Sequence, residues 1–113
     1  MIKAIALLAR KPELTHAEFV SYYENNHSKL IRRLLPQIRD YQRNYIDRDS
    51  MAGSATAADP DFDVITEFWF DDRAGYDAML AAHADPTIGG PVAADANLFL
   101  DMSKTLQFVV DER

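Results

Sequence analysis

A histidine stands at position 27 where an apolar side chain is expected. Residues 22–35 read YYENNHSKLIRRLL, and steps of about 100° per residue wind them as a helix. Val20, Tyr23, Leu30, Ile31 and Leu34 then share one side with His27 in their midst. Ser21, Asn25, Ser28, Lys29, Arg32 and Arg33 take the other. Burying a polar ring costs about 1–3 kcal/mol unless it finds partners, and leucine would pack there without that cost. An imidazole of pKa near 6.5 takes and returns protons at neutral pH. That suits removal of an acidic proton beside a carbonyl. A core histidine satisfied by hydrogen bonds is the competing reading, and periodicity does not choose between them.

Other groups could work with such a base. Tyr41 can donate to a developing enolate oxygen, or simply fill the core with its hydroxyl at the rim. Tyr23 lies one helical turn before His27 and would orient it or line a pocket. Val64, Phe68 and Phe70 would form apolar walls for a planar ligand. His83 closes an amphipathic helix, where a cation complements the helix dipole, and His16 reads as surface. Asp95 and Asp101 read as turn and helix-end residues. The histidines show no i,i+4 pairing or ligand cluster, so no metal site is expected. Phosphate loops, dinucleotide fingerprints and nucleophile elbows have no counterpart in the chain.

These side chains need elements to position them. IKAIALLA (2–9) suits a buried strand stopped by Pro12. Thr15 and Glu18 form a capping box opening a helix that runs to about Leu35, before Pro36. Residues 39–48 alternate as a strand, with Tyr41, Arg43 and Tyr45 on one side. Residues 49–61, small and polar with Gly53 and Pro60, read as a loop, the most mobile segment and a gate to the pocket. FDVITEFWF (62–70) is the strongest strand signal. A helix capped by Asp71 or Asp72 follows, with Tyr76, Met79, Leu80 and His83 on one face. DPTIGGP breaks it, a short helical turn lies around 91–98, and 104–112 form the last strand.

The order is β-α-β-β-α-β, the split arrangement of an α+β, ferredoxin-like fold: one antiparallel four-stranded sheet with helices on one face. The uncovered face would then carry Asp63, Ile65, Glu67 and Trp69, too apolar for open solvent. A second copy of the same sheet is the simplest cover, making these four the homodimer interface.

Composition sets the outer bounds. The chain has 113 residues, 48% hydrophobic and 27% charged, which fits one globular domain spanning 1–113. A net charge of -6 disfavours nonspecific binding to nucleic acid or an anionic membrane. The absence of cysteine excludes disulfides, thiolate metal sites and a cysteine nucleophile. The opening apolar run is too short for a signal segment or a membrane span, so the cytoplasm is the expected compartment.

Taken in order, the helix histidine in its aromatic–apolar setting, FDVITEFWF, AADANLFLD and FVVDE resemble the EthD-like branch of the dimeric α+β barrel superfamily over nearly the whole chain. The resemblance implies a ferredoxin-like protomer paired with its twin through the open sheet face, and a pocket between sheet and helices. It also implies kinship with muconolactone isomerases, polyketide cyclases and quinone-forming monooxygenases that work without cofactors. Lactone-isomerase relatives use a first-helix histidine as base, matched by His27, and a second-strand tyrosine, matched by Tyr41; Phe68 stands where they carry a cysteine. The expectation is therefore a cofactor-independent isomerase, cyclase or dehydratase acting on a small aromatic, lactone or polyketide-like metabolite. The alternative is a noncatalytic protein that binds or sequesters such a metabolite, and the third reading is haem binding or cofactor-free monooxygenation.

Overall fold

Alternation along the strands decides which face of the sheet meets the helices. The computed structural model describes residues 1–113, with β1 (Ile2–Leu8), β2 (Asp40–Tyr45), β3 (Val64–Phe70) and β4 (Leu106–Val110). They form one antiparallel sheet in the order β2-β3-β1-β4. Tyr41, Phe68, Ala4 and Val109 make one cross-strand row; Arg43, Thr66, Ala6 and Gln107 make the next. These rows face the helices. The alanines of the central strand β1 are buried but short, which leaves space above the middle of the sheet.

The first helical segment is capped as expected: Thr15 Oγ1 accepts from the Glu18 N–H at 3.1 Å, and Glu18 accepts from the Thr15 N–H at 2.9 Å. It runs through α1 (His16–Tyr22), a π-helical turn (Tyr23–His27) and α2 (Ser28–Leu34). The π turn explains the buried stripe. Phe19, Tyr23, His27, Ile31 and Leu35 are all buried, spaced by four, and on a 3.6-residue helix that spacing drifts by about 40° per step. The wider π turn takes back part of the drift and keeps all five facing the sheet. It also turns Ser28 inward, opposite to the plain helical wheel; Ser28 is buried, with its hydroxyl donating to the Glu24 carbonyl at 2.9 Å.

The second helical region departs from expectation. α3 (Arg73–Ala84) is followed after one residue by α4 (Pro86–Phe99), so DPTIGGP starts a helix rather than ending the helical region. Asp85 caps α4 by accepting from the Thr87 N–H at 2.9 Å, and Pro86 occupies the first turn, where its missing N–H costs nothing. Gly89 permits the sharp reversal: a Cβ there would lie 1.6 Å from the His83 carbonyl oxygen.

The outer face of the sheet has no helix. It carries Ile5, Leu7, Ile65, Trp69, Leu106 and Phe108, the last two exposed. Lys3 crosses them, 2.5 Å from Glu67 and 4.9 Å from the Trp69 ring centre. Asp63 does not belong to this patch, contrary to the sequence expectation. It precedes β3 and is buried, accepting the Arg10 N–H at 2.7 Å and an Arg48 guanidinium N–H at 3.1 Å. Its carboxylate ties strand ends together. A short 3-10 turn, Arg48–Ser50, overlaps the start of the segment 49–61, which is otherwise irregular. No helix is long and apolar enough to cross a membrane.

The two central glycines of α4 should respond oppositely to alanine. Gly89→Ala should cost about 1–3 kcal/mol through overpacking against His83. Gly90, with nothing within 4 Å of an added Cβ, should gain about 0.5–1 kcal/mol on the same change. Urea denaturation of both variants measures this.

Candidate functional site

The space over β1 is a partly open cavity of about 180 Å³, and 13 of its 17 lining residues are hydrophobic. Ala6 and Leu8 from β1 and Phe68 from β3 form its sheet side. Ile31 and Leu35 come from α2 and its end, and Val92 and Ala96 from α4. The polar wall groups are few: Tyr23, His27, Tyr41, His83, Thr105 and Gln107.

His27 is 5% exposed, and its Nδ1 lies 2.8 Å from Asp95 Oδ2. An ionised carboxylate only accepts, so Nδ1 carries the hydrogen and the Nε2 lone pair is free. Nε2 has no hydrogen-bond partner and is not sealed from open space, so it is available to a molecule in the cavity. The other carboxylate oxygen, Asp95 Oδ1, accepts from the Tyr22 hydroxyl at 2.5 Å, and that bond raises the Tyr22 pKa to about 12. The Phe99 ring packs 4.9 Å from the His27 ring. Asp95 and Phe99 are four residues apart on α4, so one helix face supplies both the partner and the packing surface.

Burial lowers the His27 pKa below 6.5, the Asp95 hydrogen bond and charge oppose that, and the charge of His83 adds to the lowering. The ring is therefore neutral at pH 7, the form a general base needs. The unfolded imidazole takes up its proton near pH 6.5, before the folded one. This residue's contribution to stability is thus full above that value and is lost as pH falls through the folded value.

Tyr41 lines the same cavity without bonding to His27. Its hydroxyl donates to Tyr23 Oη at 2.7 Å, and Tyr23 Oη lies 3.0 Å from Thr66 Oγ1. Burial pushes Tyr41 well above 10 and Tyr23 up to about 12, so both phenols keep their protons. Phe68 stacks on Tyr41 with ring centres 5.0 Å apart.

Val64 and Phe70, expected as pocket walls, do not reach the cavity. Both share the inward parity of Phe68, but they lie toward the ends of β3 and are fully buried, Phe70 against Tyr76. No residue of 49–61 lines the cavity, so the expected gate has no place there. Asp101 caps the 3-10 turn Met102–Lys104, accepting from the Ser103 N–H at 3.1 Å. His16 is exposed. No three His, Cys, Asp or Glu side chains converge as a metal would require.

Sequence reasoning missed two residues here. Asp95 sits inside an i, i+3, i+4, i+7 row with Val92, Ala96 and Phe99, an acid within an apolar stripe. That signal is legible only if residues 86–99 are read as one helix. His83 ends α3 as expected, yet its side chain lines the cavity.

The EthD domain family model matches residues 11–103. An EthD family protein of Bacillus halodurans is 23% identical, with a TM-score of 0.67 and 100% of each chain covered. A dimeric ferredoxin-like protein of unknown function from Thermobifida fusca has 17% identity and a TM-score of 0.58, covering 98% of this chain and 90% of that one. SnoaB of Streptomyces nogalater, a cofactor-independent oxygenase, has 14% identity and a TM-score of 0.59, covering 99% of this chain and 92% of its own. No curated protein matches the chain.

Replacing Asp95 with Asn should lower the His27 pKa further, because the group that favours the imidazolium is removed. Titration of the His27 ring by NMR tests this; an unchanged or raised value would show that Asp95 does not set the charge state.

Proposed function

The chain belongs to the EthD domain family, its family model covering residues 11–103, and from that premise we propose a cofactor-independent enzyme that removes a proton beside a carbonyl. The observation that carries this reading is His27 on the wall of an apolar cavity, with its Nδ1 held from behind by Asp95, which lies outside the lining. A backbone carbonyl would be enough to satisfy a ring that only filled space or bound a metabolite. A carboxylate instead fixes the tautomer and stabilises the imidazolium as it forms.

In this mechanism His27 Nε2 takes the proton from the carbon next to a carbonyl. The bonding pair shifts to the carbonyl oxygen, giving an enolate, and Asp95 steadies the new imidazolium. Tyr41 turns its hydroxyl from Tyr23 toward the enolate oxygen as hydrogen-bond donor. In isomerisation or exchange the proton then returns to carbon. Phe68 and the aliphatic walls hold the ring of the substrate and exclude water, and Tyr23 holds Tyr41. Because a cavity of about 150 Å³ accommodates benzene, about 180 Å³ suits one six-membered ring with small substituents. A haem macrocycle is several times larger, so haem binding is not favoured.

The resemblance of the sequence to muconolactone isomerases and polyketide cyclases is compatible with this chemistry. SnoaB, described as a cofactor-independent oxygenase, is an example of the fold hosting reactions without a cofactor.

Exchange of the α-protons of cyclohexanone in D₂O, followed by NMR, tests the base directly. His27→Gln should slow exchange by about 100- to 10,000-fold, and Tyr41→Phe by less. His27→Leu should remain folded, since it completes the apolar stripe. Exchange no faster than with free imidazole, or a His27→Gln protein as active as the parent, would sink the assignment.

We also propose a homodimer closed through the outer sheet face, with Ile65, Glu67 and Trp69 at its centre. Support comes from the uncovered Leu106 and Phe108 beside them and from solved relatives described as dimeric ferredoxin-like proteins. Sedimentation should give twice the 12.8 kDa protomer mass, and Trp69→Arg should shift it toward monomer. A wild-type monomer at micromolar concentration would refute the pairing.

A further inference from the structure

We propose that His83 is a second proton-transfer residue, an acid at the cavity mouth opposite the base at its interior, and that the substrate is a single-ring β-hydroxy ketone that loses water. This rests on the reading of His27 as the base.

The two imidazoles share one cavity but differ in setting. His27 is buried and tied to Asp95, whereas His83 is exposed to solvent at the end of α3 while still lining the wall. Met79, one turn earlier on α3, lines the same wall. The backbone of His83 is pinned by the close approach of Gly89, so its ring is carried on a fixed frame.

The other titratable groups on the wall are Tyr23 and Tyr41, both protonated, and no carboxylate lines the cavity.

A reaction that returns a proton to the carbon it left needs one histidine. A second, separately placed histidine suits a reaction in which a different atom must be protonated, and a departing hydroxyl is such an atom. His27 Nε2 removes the proton between carbonyl and carbinol carbons, and the C–H pair becomes the pair of an enolate. As the enolate collapses to a carbon–carbon double bond, the C–O bond breaks with its electrons on oxygen. His83 gives that oxygen its proton, and water leaves at the solvent side. The products are an enone and water; protonated His27 and neutral His83 return to their starting states by proton exchange with solvent. No oxidant or cofactor enters the balance.

The probe is 3-hydroxycyclohexanone, whose conversion to 2-cyclohexenone is followed by ultraviolet absorbance, alongside the cyclohexanone exchange that needs only the base. The wild-type protein should catalyse both. His83→Gln should slow elimination by at least about 100-fold and exchange by far less, so the ratio of the two rates falls. His83→Asn serves as a second variant if His83→Gln does not fold. Wild-type exchange without elimination would overturn the acid role and leave the base intact. Equal loss of both rates in the His83 variants, or no loss, would also overturn it. Absence of both activities in the wild type would remove the two readings together.

Discussion

One contact organises the interior: the carboxylate of Asp95 on α4 meets the imidazole of His27 in the π turn. His27 is buried and Asp95 half-buried, and an unpaired ring at that point would carry its full desolvation cost. Together they require that the π turn and α4 sit at a fixed distance and rotation. Phe99 reinforces the same geometry, packing within 6 Å of the rings of Phe19, Tyr22, Tyr23 and His27.

The cavity follows from side-chain size. Above the middle of the sheet the central strand presents the short Ala4 and Ala6 on its inward side, with the larger Leu8 at its end. Large residues flank the gap at Tyr41, Phe68 and Met79. The result is a mostly apolar space in which burial favours the neutral imidazole of His27, bordered by two phenols that stay protonated. A second polar assembly lies outside the cavity lining: Arg43 clasps Glu24 through two bonds of 2.6 and 2.9 Å, and Tyr45 donates to the same carboxylate at 2.5 Å. Burial raises the Tyr45 pKa and Arg43 lowers that of Glu24, so this strap holds its charge pattern near neutral pH.

The sheet divides the labour between its faces. The inward parity carries the site; the outward parity carries an apolar patch crossed by the Lys3–Glu67 pair. Because side chains alternate strictly along a strand, a one-residue slip would exchange the two faces. Asp63 guards against that slip at the strand entrance, where its carboxylate engages Arg10 and Arg48.

Much of this was legible from residue order. Strand parity in FDVITEFWF separates inward from outward residues, the Thr15–Glu18 box starts the first helix, and the position of His27 within an apolar stripe follows from local periodicity. Such features depend on neighbours two to four residues away, so the chain states them directly. The EthD resemblance extended that reading to the family and the fold. The pairing of His27 with Asp95 is of another kind, since 68 residues separate them, and periodicity carries no information across that span. The glycines and prolines of residues 86–91 concealed α4, because local propensity argues for a break where packing against His83 demands Gly89. The same packing brings His83 to the cavity, whereas its place at a helix end was explained fully by the dipole. Val64 and Phe70 erred for a related reason: parity places a side chain on the right face of a sheet, but the position of the space above that face is set by which helices cross it and where.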